Sequence, residues 1–482
     1  MHRSHVIKSA KWAVLICLLV ITSCTTDYVT GKRTFSLVSE SQETALGKEA
    51  DPQIIAEYGL YNDSALSSFV SNLGQSLAKV SHRSQLSYTF RVVDSPIVNA
   101  FALPGGYVYI TRGILAHFNS EDELAGVIGH EIAHVVARHS AEQMSRQQLV
   151  GLGLGVGSLV SETFAQYANV AGAGLGLLLL RYSRDQESES DRLGVEYSTK
   201  VGYDAHRMAE FFRTLGRMSE DSGQSLPSFM STHPDPGDRE AEVGRLAGEW
   251  QKKVAYNPRN VSRYDYLKRL DGMVYGNDPR QGFVENQTFY HPQLRFQFPI
   301  PAGWQLSNSA SSVLMIDSEK KAAIKLTLGQ ADSPQQEADK FLANEGVSVR
   351  RREATTVHGY SAVVVESVVK GNDGDLGVLS YFIKKGEHVY VFHGFTAEAV
   401  YRNYAVSFGR VMGGFEDVSD PAVINKQPRR LRIKKAPRSG DVATVLRTLG
   451  TDQESLSELA LANGMSLNDR IEQGTWVKVV GD

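Results

Sequence analysis

The chain has 482 residues, enough for roughly two to four domains. Its 51 basic and 54 acidic side chains give a formal charge of −3, which argues against a general nucleic-acid binder, because such proteins normally carry a basic excess. Hydrophobic residues make up 42% of the chain, which excludes wholesale disorder. The two cysteines, Cys17 and Cys24, are too few for a disulfide framework or a thiolate zinc cluster, so any metal site must use histidine and carboxylate ligands.

The first 23 residues are organised like a bacterial secretory signal. Basic residues precede an apolar run at 12–21 that is too short for a membrane span. The sequence Ile21-Thr22-Ser23-Cys24 then resembles a lipobox, in which Cys24 is lipidated and becomes the first mature residue. A plain secretory signal or an uncleaved anchor is the alternative. The residue after Cys24 is Thr25 and not Asp, so we expect an outer-membrane lipoprotein that faces the periplasm of a Gram-negative bacterium.

A mainly helical domain with a small edge sheet is predicted at 39–255, after a polar tether at 24–38. The apolar spacing and turn residues predict helices at 39–59 and 64–80, strands at 88–93 and 107–111, and helices at 121–148, 183–200 and 204–217. The segment 150–180 is rich in glycine, alanine and leucine. Because glycine weakens helices, we expect a packed small-residue helix or a lid there, and a hydrophobic hairpin that dips into a membrane is the alternative.

Beyond residue 260 the pattern changes to short alternating or β-branched runs separated by turn residues. Two helical patterns interrupt these runs, at 334–345 and 397–411. This predicts an antiparallel α+β domain at 260–420, a basic linker at 421–437 and a small βααβ module at 438–482. The predicted fold class of the whole chain is therefore α+β.

The motif His130-Glu131-Ile132-Ala133-His134 lies inside a predicted helix, with Ser120 as N-cap and Glu123 completing a capping box. The i, i+4 spacing places the two imidazoles on one helix face, where both can bind one zinc ion. Glu131 is turned by about 100° from His130. From there it can serve as general base, and then as acid, on a water that the zinc activates. A helix with surface histidines is the alternative.

A catalytic zinc needs a third protein ligand. His139 does not have the spacing of a third ligand histidine, so we expect it to form hydrogen bonds beside the site. In the segment SRDQESESDRLG, Glu187 and Asp191 share one helix face and Glu189 does not. We therefore predict Glu187 as the third ligand and Asp191 as the carboxylate that orients a ligand histidine. A solvated acidic helix start is the alternative.

These residues resemble the zinc peptidase family that contains the CAAX prenyl proteases and the HtpX heat-shock proteases, and in particular its periplasmic lipoprotein branch of BepA-like and LoiP-like proteins. The resemblance covers about residues 27–250 and includes TGKRTFSLVSESQETALG, NAFALPGGYVYITRGIL and STHPDPGDR. It implies gluzincin peptidase activity, with one zinc per chain bound by residues that match His130, His134 and Glu187. It also implies an edge strand that binds the substrate backbone by β-addition, with contacts from Asn99, Ala100, Phe101, Ala102, Gly105 and Gly106.

The same resemblance places a His-Pro…Arg pair near the metal, and this pair matches His233 and Arg239. We treat both as candidate catalytic residues. They could stabilise the oxyanion, or His233 could occupy the open zinc position. A helix-capping loop with a structural salt bridge is the alternative.

The C-terminal unit resembles a LysM-like module, through RSGD at 438–441, Asn463-Gly464 and EQGTWVKVV at 472–480. This resemblance implies contact with peptidoglycan, and a module kept for packing is the alternative. We assign no chemistry to residues 260–420.

The sequence therefore predicts a lipid-anchored zinc endopeptidase that hydrolyses unfolded or misassembled envelope proteins. A non-proteolytic chaperone that holds its clients in the peptidase cleft is one alternative, and a wall-binding structural lipoprotein is another. We expect no nucleic-acid partner.

Overall fold

A computed structural model describes residues 24–153, 181–221, 228–233, 236–371 and 374–481. The expected signal peptide at 1–23 and most of the segment 150–180 lie outside these ranges. Within them, no helix is both long and apolar enough to cross a membrane. Helices and strands are mixed along the described chain, which confirms the α+β class.

The segment at 24–38, expected to be a polar tether, has regular structure. Strands β1 (Cys24–Thr26) and β2 (Arg33–Phe35) pair in antiparallel orientation. Val38 is buried, and its carbonyl accepts a hydrogen bond from Arg138. The structure thus differs from a free tether, since part of this segment packs against the helical unit that follows.

The first unit combines helices with one small mixed sheet. Its strands lie in the order β3-β5-β4, with β5 parallel to β3 and antiparallel to β4. The strands are β3 (Thr89–Val93), β4 (Ala100–Leu103) and β5 (Tyr107–Thr111). The helices are α1 (Glu40–Tyr58), α2 (Ser64–Ala78), α3 (Arg112–His117), α4 (Glu121–Val136), α5 (His139–Gly153), α6 (Arg184–Val201), α7 (His206–Asp221), α8 (Ser228–Thr232), α9 (Pro236–Lys253) and α10 (Arg263–Leu270). Helix α1 packs on one face of the sheet, and α2 and α4 share a core with the other face.

The single helix predicted over 121–148 is instead two helices, α4 and α5. Between them Arg138 adopts the left-handed backbone conformation, with φ of 60°. This conformation is costly for a residue with a side chain. The Arg138 guanidinium donates to the Glu43 carboxylate at 2.8 Å and to the Val38 carbonyl at 2.6 Å, and these buried bonds stabilise the break. The break redirects the chain immediately after the HExxH motif.

The second unit contains two antiparallel sheets. The smaller has the order β16-β8-β7-β6, and the larger has the order β12-β13-β14-β15-β11-β10-β9. The strands are β6 (Phe283–Glu285), β7 (Thr288–His291), β8 (Phe296–Pro299), β9 (Gln305–Asn308), β10 (Ser312–Ile316), β11 (Ala322–Leu328), β12 (Val347–Val357), β13 (Tyr360–Val369), β14 (Leu376–Lys385), β15 (His388–Ala397) and β16 (Glu416–Asp417). Two helices, α11 (Pro334–Leu342) and α12 (Tyr401–Gly413), contribute to separate cores of this unit.

The C-terminal unit has the predicted βααβ order but begins inside the expected basic linker. Strand β17 (Arg430–Lys435) pairs with β20 (Trp476–Gly481) in antiparallel orientation. The run Arg-Leu-Arg-Ile alternates charged with apolar residues, which suits a half-buried strand, and Leu431 is fully buried. The other elements are α13 (Pro421–Ile424), β18 (Gly440–Asp441), α14 (Val442–Thr448), α15 (Leu456–Ala462) and β19 (Arg470–Ile471).

The C-terminal unit shares one hydrophobic core with the first unit. Buried side chains of β17, α14, α15 and β20 belong to the same cluster as those of α3, α4, α7 and α10. Lys478 on β20 is fully buried, and its Nζ donates to the carbonyl oxygens of Ala116 and Phe118, each at 2.8 Å. Burial holds the pKa of the Lys478 amine well below its ordinary value. The C-terminal unit is therefore part of the body that supports α4, the helix that carries the HExxH motif.

Replacing Lys478 by Met should destabilise this shared body. The substitution keeps an apolar stem but leaves two buried carbonyl groups without their donor, and each unsatisfied group costs about 1–3 kcal/mol of stability. Urea unfolding followed by tryptophan fluorescence should show a free energy of unfolding lower by about 2–6 kcal/mol. The control Lys434→Met, at an exposed position of β17, should change it by less than about 0.5 kcal/mol. Equal stability of the two variants would contradict the structural role of Lys478.

Candidate active site

Helices α4 and α6 cross in close contact, and this crossing brings two parts of the predicted metal site together. Gly129 faces Gly194 at the crossing. A Cβ on Gly194 would lie 2.9 Å from the backbone nitrogen of His130, and a Cβ on Gly129 would lie 3.0 Å from the Gly194 carbonyl oxygen. Glycine at both positions therefore permits the approach. As a result, Glu187 and Asp191 on α6 face the histidines of α4.

Four buried side chains form a group that could hold a metal ion: His130, His134, Glu187 and His233. One ligand atom from each lies within 4.8 Å of the others. The Nε2 atoms of His130 and His134 are 2.9 Å apart, and each lies 3.5 Å from a Glu187 carboxylate oxygen. Imidazole nitrogens and a carboxylate oxygen are ligands that zinc accepts, so the donor set fits this ion. The structure thus brings the three predicted ligands together, and His233 joins them.

His233 directly follows α8, and its buried side chain lies against the other members of the ligand group. Its Nδ1 is 3.2 Å from His130 Nε2 and 3.0 Å from a Glu187 oxygen. The ring of Phe229 stacks on its imidazole with centroids 4.5 Å apart. Although burial opposes the charged form, the Glu187 and Glu131 carboxylates raise the pKa of His233. This position favours the alternative in which His233 occupies the remaining ligand position.

Asp191 and Arg239 lie behind the ligands. Asp191 accepts a hydrogen bond at 2.9 Å from Nδ1 of His130 and two at 2.7 Å from Arg239. Despite burial, Arg239 and the His130 bond hold the pKa of Asp191 at about 2. Asp191 thus lies beside Nδ1 of His130, the nitrogen that a metal bound at Nε2 would leave free.

Arg239, predicted as catalytic, directs its guanidinium toward carboxylates of the chain. Besides Asp191, it contacts Glu187 at 3.0 Å, and it lies 4.3 Å above the ring of Phe212. Because these contacts engage its donors, the structure favours the salt-bridge alternative for Arg239 over direct stabilisation of an oxyanion.

Glu131 lies beside the ligand group without belonging to it. Its side chain is fully buried, and neither carboxylate oxygen has a hydrogen-bond partner among the described atoms. The nearest cationic atom is Nε2 of His233, at 3.6 Å, which is too long for a hydrogen bond. Burial raises the pKa of the Glu131 carboxyl above its ordinary value. A buried carboxylate without a partner is costly, and such groups cluster at functional sites.

His134 is enclosed by two further side chains. Nδ1 of His139 lies 2.9 Å from Nδ1 of His134, and Nε2 of His139 lies 3.4 Å from Glu189. The ring of Tyr182 stacks on His134 with centroids 4.0 Å apart. His139 therefore lies beside a ligand, as expected. The sequence did not predict that Tyr182 and Phe229 stack on histidines of the site, because neither aromatic residue belongs to a motif with them.

The predicted substrate strand lies at an edge of its sheet. Strand β4 pairs with β5 and has no second neighbour among the described strands. The glycines that follow have positive φ, 80° at Gly105 and 95° at Gly106. A Cβ on Gly105 would lie 2.9 Å from Thr44 of α1, and one on Gly106 would lie 2.7 Å from the Ser87 carbonyl oxygen. The two glycines thus serve packing within the chain. The remaining predicted contacts, all buried, are Asn99, Ala100, Phe101 and Ala102.

Residues 66–247 match the family model described as Peptidase family M48. The putative beta-barrel assembly-enhancing protease of Vibrio cholerae is 32% identical over 222 residues, which cover 44% of this chain and 46% of that protein. The beta-barrel assembly-enhancing protease of Escherichia coli is 29% identical over 227 residues, or 45% of this chain and 46% of that protein.

A eukaryotic relative aligns over a larger share of its length. The mitochondrial metalloendopeptidase OMA1 of Schizosaccharomyces pombe is 30% identical over 230 residues, which cover 47% of this chain and 67% of that protein. By contrast, the chain spans about half the length of the bacterial relatives. Residues 66–247, which match the family model, contain the ligand group described above.

The ligand group predicts how two neighbouring glutamates differ in metal binding. Glu187→Ala should lose its zinc or bind it far more weakly, because it removes an anionic donor from the group. Glu189→Ala is the matched control, since Glu189 contacts His139 and lies outside the group. Zinc content measured by atomic emission after dialysis should separate them. Full zinc in Glu187→Ala with loss in Glu189→Ala would reassign the ligand.

Proposed function

Because this chain belongs to peptidase family M48, we propose that it is a zinc-dependent endopeptidase of the bacterial envelope. One observation carries the proposal: His130, His134 and Glu187 lie together in one group, and beside them the buried carboxylate of Glu131 has no hydrogen-bond partner among the described residues. Two histidines and a glutamate are a ligand set of catalytic zinc sites that leave one position for substrate or water.

The residues of the chain divide the work of peptide hydrolysis. His130, His134 and Glu187 would hold the zinc, which supplies Lewis acidity to the scissile carbonyl and to water. Glu131 takes a proton from the attacking water and passes it to the leaving nitrogen. The burial of Glu131 favours this role, because it raises the pKa of the carboxyl toward a neutral operating pH, and a base works best when its pKa is near that pH. Asp191, fixed by Arg239, orients the His130 ring.

The substrates we propose are unfolded or misassembled envelope proteins, including outer-membrane proteins. The bacterial relatives are named for enhancing β-barrel assembly, which supports this choice. The edge position of β4 supports recognition of an extended backbone with little dependence on sequence. The alternative is a chaperone that holds the same clients in the cleft without cutting them.

Glu131→Gln distinguishes the peptidase from the chaperone. It preserves the size of the side chain but removes the base, so turnover of casein should fall by about 10²–10⁴-fold while zinc is retained. The control Glu49→Gln, at an exposed position of α1, should keep full turnover. A chaperone would show no hydrolysis to lose, and its suppression of client aggregation would survive in Glu131→Gln.

His233→Ala separates two proposed roles by the sign of its effect. If His233 occupies the fourth ligand position in a resting state, its removal should raise turnover of casein and promote self-cleavage. If His233 stabilises the oxyanion, turnover should fall by about 10²-fold with zinc retained. His206→Ala is the control, because His206 is partly exposed and pairs with Asp204 outside the ligand group. Unchanged turnover in His233→Ala would exclude both roles.

We also propose that a lipid on Cys24 anchors the protein to the inner face of the outer membrane. The lipobox-like sequence before Cys24 supports this anchor. Cys24→Ala should release the protein from isolated membranes. A radioactive fatty acid should label the wild type and should not label Cys24→Ala. Unlabelled wild-type protein would refute the anchor.

The contacts of the C-terminal unit favour its packing role over peptidoglycan binding. The Asn463 amide is buried, and it exchanges two hydrogen bonds of 2.8 Å with the backbone of Lys478. A Cβ on Gly464 would lie 3.0 Å from the Asn119 side chain of the first unit. The Asn-Gly turn that supported the LysM-like resemblance is therefore engaged inside the molecule.

A further inference from the structure

A cleft of about 610 Å³ lies between the first unit and the second. Its volume falls within the roughly 300–1,000 Å³ typical of ligand pockets. One wall consists of the end of α1 and residues 94–97. The opposite wall includes residues of β6 and β9. None of these residues belongs to the ligand group, so the cleft is a separate site on the chain.

Both strands in the second wall are terminal strands of their sheets. Strand β6 ends the four-stranded sheet, and β9 ends the seven-stranded sheet. Neither has a second neighbouring strand within the part of the chain that the structure describes. Terminal strands present backbone donors and acceptors to which an extended peptide can bind. The cleft is therefore suited to an extended backbone.

Apolar side chains face solvent on both walls. Ile97 is 46% exposed on one side and Val284 is 50% exposed on the other, and both line the cleft. Exposed apolar side chains in a concave site indicate a surface that binds apolar groups. Such a site favours an extended segment whose side chains on one face are apolar.

The charges of the cleft are largely paired. Its charged lining residues are Glu57, Asp94, Asp278 and Arg112. Asp94 pairs with Arg112, Asp278 pairs with Arg280, and Lys325 interacts electrostatically with Glu57. The cleft therefore offers little net charge to its occupant, which fits a segment bound through its backbone and its apolar side chains.

The cleft continues toward the edge strand of the active site. Ile97 precedes Ala100, the first residue of β4, by three positions, which limits their Cα separation to about 11 Å. Between them, the carbonyl of Val98 accepts a hydrogen bond at 3.1 Å from the Phe229 backbone, and Phe229 stacks on His233. A peptide paired with β4 that extends past the amino end of this strand would therefore reach the cleft.

We propose that this cleft is an exosite for the substrate polypeptide. Its occupant is an extended segment with alternating apolar side chains, the pattern of an unassembled strand of an outer-membrane β-barrel. The exosite binds this segment outside the catalytic centre while another part of the same chain lies along β4. Of these two contacts, the one along β4 rests on the proposed peptidase function.

The test uses Val284→Asp, with Val406→Asp as the matched control. Val406 lies on α12, is 74% exposed and does not line the cleft. Binding is measured by fluorescence anisotropy with a labelled, urea-unfolded porin, in full-length protein that also carries Glu131→Gln. Val284→Asp should weaken binding by about tenfold, because it places an unpaired charge against apolar side chains, and Val406→Asp should not. Thermal melting confirms that both variants fold.

Turnover provides the second measurement, with Glu131 intact. Val284→Asp should raise KM for unfolded porin about tenfold while leaving hydrolysis of a tetrapeptide with the same cleavage site unchanged, since a tetrapeptide spans at most about 14 Å and is used up by pairing with the four residues of β4. Unaltered porin binding, or equal loss with porin and tetrapeptide, would overturn the exosite. A change of oligomeric state in Val284→Asp would identify a second copy of the chain as the occupant and would also overturn it. If the wild type hydrolyses neither substrate but Val284→Asp still weakens porin binding, the peptidase proposal fails and the exosite stands.

Discussion

The close crossing of α4 and α6 is the constraint on which the candidate active site depends. The backbones meet at Gly129 and Gly194, where added Cβ atoms would lie about 3 Å from the opposing main chain. Any larger side chain at either position would push the helices apart. Such a shift would separate Glu187 from His130 and His134, whose ligand atoms lie within 4.8 Å of one another. Two residues without side chains thus set the geometry of the group that could hold a metal ion.

A buried charge network then stabilises the arrangement that the crossing permits. Asp191 and Glu187 are both held by Arg239, which reaches them from a third helix, α9. Buried ions are tolerated when their attraction and hydrogen bonds offset the loss of hydration. The network also orients His130 through Asp191. Arg239 therefore links α9 to the ligands, although it is not expected to touch substrate.

Both ends of α4, the helix with the HExxH motif, are held by residues distant in sequence. At the carboxyl end, Arg83 donates to the Val135 carbonyl at 3.0 Å. At the amino end, the Glu123 carboxylate accepts a hydrogen bond from the backbone N–H of Asn119. In the capping box that the sequence predicts, Glu123 would instead bind the backbone N–H of the N-cap residue, Ser120. Lys478 binds the segment immediately before Asn119. The C-terminal unit thus contributes to the support of α4.

The sequence alone determined the features that depend on local helix geometry. The i, i+4 spacing of His130 and His134 and that of Glu187 and Asp191 each place two side chains on one face, whatever surrounds the helix. By contrast, the crossing that brings Glu187 to the histidines, the stacking of Tyr182 on His134, and the break at Arg138 were decided by the tertiary structure. So was the burial of Lys478, a residue type that is almost never fully buried without partners. The physical reason is that these features depend on contacts between residues tens to hundreds of positions apart, which no local pattern encodes.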